Sequence, residues 1–505
     1  MEQRLQPIDF LYRGLERDPS AVAVETPDAR LTFADLVAEV EALATAFQSL
    51  DPTPGSRIGT CAWNTREHLV AILATYAAGK VWVPLNPRNG SAEIGSMITT
   101  TRPSVIFVDE SCLEKLPTVT ARVLKARDAA KAIERHRGQR PRRMERAADD
   151  DQVIKFSGGS TGRPKAIRQP VRCINTQAIA IGSAFEYGPD DVNLVAAPIT
   201  HGTSCFLLPV LAAGGRLVLL GKLTPAEILA AFERCGVTSA YMPPTLIYML
   251  LQEPGLRRGG YPKLKHLIYS AAPMPPERIR QVREVFGPVL ETAYGQVEVP
   301  QIVTAMRAAD FAAADRADEG LFESVGRAVP PTEVRIMDKH GALMGADEIG
   351  EVVVRGDLVM TGYLDQPELT AQTIVDGWLH TGDLGLLDSR GYLYLKGRTR
   401  EVIISGGFNI FPADVESVLS RHPAVAECAV FGVEDAKWGE AVHAAVRLRS
   451  PATVSEGDLI SYVKGALDSV KAPKRIHFVE ALPHNAVGKV SRGEVKAMVL
   501  SGAKA

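Results

Sequence analysis

Apolar positions recur at helical spacing from Leu31 to Leu50, and Thr32 stands where such a run needs a side-chain acceptor for its first free N–H groups. The pattern predicts a capped helix through Leu36, Val40 and Leu43. A second helical run, Glu67 to Ala78, passes through Gly79 into Val81-Trp82-Val83-Pro84-Leu85, a short continuous apolar stretch typical of a buried strand. Further along, Leu194 to Ala197 and Arg216 to Leu220 read as strands and Pro225 to Cys235 as a helix. Strands alternating with helices imply an open, mostly parallel α/β sheet.

After about Glu323 the pattern shortens to strands separated by turns: Glu333 to Met337, Gly350 to Val354 and Tyr392 to Leu395. This predicts a β-rich subdomain over about 324–398. The last hundred residues change again, to helix Ala413–Leu419, strands Glu427–Val433 and Val442–Leu448, helix Glu456–Leu467 and strand Arg475–Val479. Ser455 with Asp458, and Ser491 with Glu494, fit the reciprocal capping pattern that opens a helix. The expected fold is therefore α/β: a large N-terminal domain, 1–398, and a small α+β C-terminal domain, 399–505. Between Ala121 and Arg146 the chain is strongly basic with few strand signals, which reads as a solvated linker.

A chain of 505 residues exceeds what one core usually supports, in keeping with two domains. The formal net charge is only -2, from 57 basic and 59 acidic residues, so no global field recruits nucleic acid or anionic lipid. Met1 to Pro7 lack the apolar core of a secretion signal. The longest apolar stretch, Cys205 to Leu220, is interrupted by Pro209, Gly214, Gly215 and Arg216, too early to span a bilayer. A cytoplasmic protein without an integral membrane segment is expected. The six cysteines form no Cys-x-x-Cys pair, which argues against a zinc site or disulfide framework and for reduced, buried thiols.

The strand-like Val153 to Phe156 leads directly into Ser157-Gly158-Gly159-Ser160-Thr161-Gly162-Arg163-Pro164-Lys165. Glycines let a backbone approach an anion closely, hydroxyls and N–H groups can point inward, and Lys165 adds a mobile cation; such a loop suits a polyphosphate. It is not a P-loop of the Walker type, because Arg163-Pro164 separates Gly162 from Lys165 and Ala166 follows.

Five further segments follow in order: Ala197 to Gly202, Tyr294-Gly295-Gln296-Val297-Glu298, Thr381-Gly382-Asp383, Gly397-Arg398 with Ser405-Gly406-Gly407, and Pro483 to Lys489. With the loop they resemble the motif set of the adenylate-forming superfamily, in its acyl-CoA synthetase branch. The resemblance implies an acid:CoA ligase that uses ATP, Mg²⁺ and coenzyme A. A carboxylate attacks the α-phosphate of ATP to give acyl-AMP and pyrophosphate, and the CoA thiol then displaces AMP.

It also assigns residues. Ser157, Gly158, Gly159, Ser160, Thr161, Gly162 and Lys165 grip phosphates; Tyr294 and Gly295 flank adenine; Glu298 holds Mg²⁺; Asp383 and Arg398 meet the ribose. His201 gates the acyl pocket, and Lys489 reaches in during adenylation. A C-terminal domain made mobile by a hinge at Arg400 brings Gly406 and Gly407 to the pantetheine tunnel, with Trp438 and Lys474 near the CoA nucleotide.

Two positions depart from the family pattern: Val297 replaces a phosphate-contacting Thr, and Arg400 stands where relatives carry Asp or Lys. Those departures keep open a nucleotide-binding protein without turnover, and the same motifs also serve adenylation proteins that load a carrier protein. The residues expected around the acyl group, Gly202 to Cys205, Ser270 to Pro273 and Val299-Pro300, are small or apolar, so the free end of the acid is expected to carry no charge. Malonate-activating relatives place Arg where Ala293 stands, which disfavours a dicarboxylate. A monocarboxylic acid, aliphatic or aromatic, is the expected small-molecule partner, and a homodimer is left open.

Overall fold

The computed structural model describes residues 4–157, 165–220, 223–317, 319–435, 437–484 and 490–502. Two large sheets dominate. In the nine-stranded sheet, strands 290–294, 266–269, 239–242, 192–194, 216–218 and 22–25 run parallel in that spatial order, with antiparallel strands at both edges. In the seven-stranded sheet, strands 151–157, 81–84, 57–61, 105–108 and 122–125 run parallel, and 165–170 and 362–363 close one side antiparallel. The inner strands 81–84 and 105–108 are buried along their whole length, as the apolar strands of a covered parallel sheet are.

The predicted helices form with small boundary shifts. Helix Phe33–Leu50 begins with a full capping box between Thr32 and Asp35, and helix Arg66–Ala77 is capped by Thr65. These two helices pack into one apolar core with Trp82, Phe107 and Leu211. Ser455 and Asp458 also form a capping box, but the Ser491 side chain makes no capping bond to the helix Arg492–Leu500.

The basic stretch is not a plain linker. Arg122–Lys125 adds an edge strand parallel to Val105–Val108, and Ala126–His136 forms a helix whose Ala129, Ala132 and Ile133 join the core. The following segment is strapped down by Arg143 on Asp9 (2.8 Å) and by the Arg142 backbone N–H on Gln48 (2.9 Å). The arginines sit outward because an edge strand and a surface helix need only one apolar side.

The β-rich part forms an antiparallel sheet from strands 333–337, 350–355, 378–387, 374–375 and 393–398. A last sheet, entirely from residues 403–478, packs helices Pro412–Arg421 and Glu456–Ala466 on its own apolar core. All six cysteines are free thiols, five of them buried. Among the described residues no helix is long and apolar enough to cross a membrane.

Candidate active site

Tyr294 ends the parallel strand Leu290–Tyr294, where side chains emerge at the carboxyl edge of the large sheet. Its phenol donates to Asp383 Oδ2 (2.7 Å), and Gln296 Nε2 donates to the same oxygen (2.6 Å) and to the Thr381 carbonyl (3.0 Å). Arg398 Nε lies 3.2 Å from Asp383 Oδ1, directly across the antiparallel pair. Burial, together with the Asp383 charge, pushes the Tyr294 phenol well above its ordinary range, so it keeps its proton and donates.

Asp383 is aimed by an irregular register. Glu351 pairs with Leu384 but Val353 pairs with His380, so the strand Trp378–Leu387 carries extra residues at Thr381–Asp383. Glu351 fixes that bulge, accepting the Gly382 N–H at Oε1 (2.9 Å) and sitting 2.8 Å from His380 Nδ1 at Oε2. Gly382 has φ +69°, a conformation that favours glycine.

Ser157 and Lys165 face each other as a paired position of the antiparallel strands Asp151–Ser157 and Lys165–Pro170. Lys165 Nζ lies 5.1 Å from the centre of the Tyr363 ring, and the Tyr363 hydroxyl donates to Glu298 Oε1 (3.1 Å). Lys165 and Glu298 therefore converge on one tyrosine. Gly158, Gly159, Ser160, Thr161, Gly162 and Lys489 lie outside the described residues. Between the two groups, Val297 takes a bond from Gln169 Nε2 at its carbonyl (2.8 Å), while its side chain packs against the apolar cluster of Ile167, Tyr294 and Val299.

His201 opens a short turn, Gly202–Phe206, and its Nδ1 is 2.9 Å from Thr200 Oγ1. Burial, then the like charges of Lys155 and Arg88, depress it to about 4, so the imidazole is neutral near pH 7. Lys155 was not singled out by the sequence. Its ammonium holds the turn from beneath, donating to His201 O (3.2 Å) and Ser204 Oγ (2.8 Å) above the Trp82 ring. Beside it lies a cavity of about 10 Å³, room for one water, lined in part by Gln177, Ser204 and Cys205.

Gln296, Glu351 and Tyr363 were also missed as individual contributors. Their signal lay in strand pairings that no local pattern contains.

Gly406, Trp438 and Lys474 come together in the C-terminal sheet, apart from the groups above. The Gly406 N–H donates to Trp438 O (2.8 Å), and Lys437 and Lys474 place their ammonium groups 4.7 and 5.8 Å from the half-exposed indole. Gly407 has φ +83° and open space where a side chain would be.

Among the described residues no cluster of three or more His, Cys, Asp or Glu could hold a metal ion. Glu298 offers a carboxylate that a cation could share with substrate phosphates, the arrangement that suits Mg²⁺.

Asp383 and Tyr294 stand at one end, Lys165 with Glu298 and Tyr363 at the other, and a neutral histidine to the side, all in an α/β frame. Family models described as AMP-binding enzyme and AMP-binding enzyme C-terminal domain match residues 11–364 and 414–489. The chain belongs to this family of AMP-binding enzymes. The medium/long-chain-fatty-acid–CoA ligase FadD8 of Mycobacterium tuberculosis is 31% identical over 525 residues, covering 98% of this chain and 90% of that protein. Feruloyl-CoA synthase of an Amycolatopsis species is 31% identical over 494 residues, covering 96% and 97%. The ATP-bound crystal structure of MatB from Rhodopseudomonas palustris superposes with a TM-score of 0.90 at 29% identity, covering 99% of this chain and all of that one. The protein is an AMP-forming acid:CoA ligase that uses ATP, CoA and a small carboxylic acid.

Proposed function

We propose that the acid is a monocarboxylic acid, aliphatic or aromatic, activated and transferred in two half-reactions at one site. The observation that carries this is the continuity of the site. The segment 294–298 touches Asp383 at one end, through Tyr294 and Gln296, and Tyr363 beside Lys165 at the other, through Glu298. We place the ribose and phosphates of one nucleotide between those ends.

In this reading Asp383 accepts the ribose hydroxyls and Tyr294 lies along adenine. Ser157 to Lys165 bind the β- and γ-phosphates, where N–H groups and Lys165 offset the charge of the departing pyrophosphate. Mg²⁺, when bound at Glu298, would neutralise phosphate charge; Tyr363 holds that carboxylate in place. A carboxylate oxygen forms a bond to the α-phosphorus as the bond to the β-phosphate bridging oxygen breaks, giving acyl-AMP and pyrophosphate. Lys489 stabilises the charge that develops between the two anions. Neutral His201 closes the acyl pocket without adding a cation beside the leaving group.

For the second step the C-terminal domain, 399–505, turns about Arg400 relative to 1–398. The thiol, losing its proton, forms the thioester as the acyl–AMP bond breaks, with Gly406 and Gly407 beside the thiol arm and Trp438 and Lys474 near the CoA nucleotide. Val297 cannot supply the hydroxyl a Thr would, and its packing on Ile167 and Val299 explains how the site tolerates an apolar side chain there.

The test is pyrophosphate release with Mg-ATP and a panel of short, medium, long-chain and aromatic monocarboxylic acids, with and without CoA. One acid class should turn over repeatedly only when CoA is present. ATP binding with no release from any acid would overturn the reading.

A further inference from the structure

Gln301 lies three residues beyond Glu298, directly after the Val299-Pro300 pair read as acyl lining, and the structure puts it inside a buried polar cluster. Its Nε2 donates to Ser270 Oγ (2.5 Å) and to Tyr241 Oη (3.2 Å). All three residues are more than nine-tenths buried, with Tyr241 6%, Ser270 5% and Gln301 8% exposed. The cluster sits against both turns that border the acyl site. A side chain at Gly202, next to His201, would meet Tyr241 Oη at 2.6 Å, and one at Gly295 would meet the Gln301 backbone N at 2.9 Å. The two glycines are what let the turns close on this cluster. The Tyr241 ring is itself held by stacking on Phe206 (4.9 Å between centroids).

The hydrogen bonds of the cluster do not close. Both amide protons of Gln301 are used, whereas Gln301 Oε1 has no donor among the described residues. The Ser270 and Tyr241 hydroxyls interact with each other as well as with the amide, which uses one of their two protons and leaves the other to be placed. Burial pushes the Tyr241 phenol up to about 12, so it retains its proton throughout the physiological range. Thr203, one residue beyond Gly202, adds a further buried hydroxyl without a partner among the described residues. Buried polar atoms in native proteins are almost always paired, and a site that leaves them open discriminates strongly for a ligand that fills them.

We infer that the acid carries a neutral hydroxyl group away from its carboxyl, and that Gln301 with Tyr241 and Ser270 selects it by giving one hydrogen bond and accepting one. A hydroxyl is the small uncharged group that offers both an acceptor and a donor, matching the open hydroxyl proton and the open Oε1. A plain alkyl or aryl end would bury both unpaired. A keto group would satisfy the proton and leave Oε1 open. A second carboxylate would face Oε1 with no cation among the partners that the cluster makes with the described residues, and burying it there would be costly. The inference rests on the monocarboxylate reading and narrows it to hydroxylated acids, phenolic or aliphatic.

The test compares kcat/KM for acyl-CoA formation across matched acids: aryl acids with and without a ring hydroxyl, alkanoic acids with a hydroxyl at successive positions, and the corresponding keto acids. The wild type should favour one hydroxylated acid over its deoxy partner by about tenfold or more, in line with the discrimination of sites built to bond a hydroxyl. Gln301→Leu and Tyr241→Phe should each bring that ratio close to one, mainly by lowering kcat/KM for the hydroxylated acid. Thermal melting of both variants checks folding, and Tyr241→Phe removes only one oxygen, so it retains the packing if Gln301→Leu does not. Equal or better use of deoxy or keto acids by the wild type overturns the inference, as does a ratio that survives in both variants. Failure of every acid to give acyl-CoA overturns instead the monocarboxylate reading beneath it.

Discussion

His68 shows how far a single side chain can be argued from its partners. Its Nδ1 is 2.9 Å from the Trp63 carbonyl, which can only accept, so Nδ1 carries the proton. Nε2 must then accept from Thr60 Oγ1 (3.0 Å), which in turn accepts from Trp82 Nε1 (2.8 Å). Complete burial depresses the imidazole from 6.5 to about 4. Above pH 6.5 both folded and unfolded chains hold it neutral. Between 6.5 and 4 the unfolded chain binds a proton that the folded one refuses, so stability falls as pH falls through that window. Full loss is about 3 kcal/mol, since each tenfold change in proton affinity is worth about 1.4 kcal/mol. Urea unfolding at pH 7.0 and 4.5 should show His68→Gln, which can keep one donor and one acceptor in place, losing less stability than the wild type between the two conditions.

The hairpin of strands Ile403–Ser405 and Phe408–Ile410 is the element on which thiol transfer is proposed to depend. Its turn residues Gly406 and Gly407 both have positive φ, but only Gly406 is crowded, where a side chain would meet the Trp438 ring at 3.0 Å. Gly407→Leu adds about 1–2 kcal/mol of local backbone strain and no clash with the fold. Acid-dependent exchange of pyrophosphate into ATP should stay within about threefold of wild type, on the order of what 0.7 kcal/mol would change, while thioester formation falls at least about tenfold. Equal loss of both steps would mean that the hairpin has misfolded. The bulge at Thr381–Asp383 works in the opposite sense, since there extra residues in a strand fix a functional side chain.

At the scale of the whole molecule, the proposed mechanism uses two arrangements of the C-terminal domain, one for each half-reaction. In the present one, Arg421 reaches Glu323 across the domains (2.9 Å), and both side chains are more than 40% exposed. An exposed pair of this kind contributes only ~0.2–1 kcal/mol, weak enough to be exchanged during turnover. Next to the proposed hinge, Arg492 clasps Glu401 (2.5 Å) and Glu416 (2.6 Å), tying the start of the C-terminal domain to its last helix. Lys489→Ala should lose acyl-AMP formation by about a hundredfold or more, as removal of a single oriented charge stabiliser commonly does. The same variant should still convert supplied acyl-adenylate to thioester, measured as AMP release on addition of CoA. Loss of neither step would end the role assigned to this lysine.

Much of the molecule follows from local order in the chain. The buried parallel strands are legible because both faces are apolar, and the helices Phe33–Leu50 and Glu456–Ala466 because their caps lie within three residues of each other. The ordered motifs likewise pointed to Tyr294, Glu298, Asp383 and Lys165, and the structure brings Tyr294 onto Asp383 and both Glu298 and Lys165 onto Tyr363. The edge strand Arg122–Lys125 escaped notice because its pairing is supplied by Val105–Val108 and not by its own pattern. Only the tertiary structure set Gln296 against Asp383, brought Lys155 under His201 and closed Tyr241, Ser270 and Gln301 into one cluster. Gln296 and Asp383 are 87 residues apart in the chain, Gln301 and Tyr241 60, and Lys155 and His201 46. A sequence pattern records spacing along the chain, while a hydrogen bond depends on distance in space, and strand order and register convert one into the other.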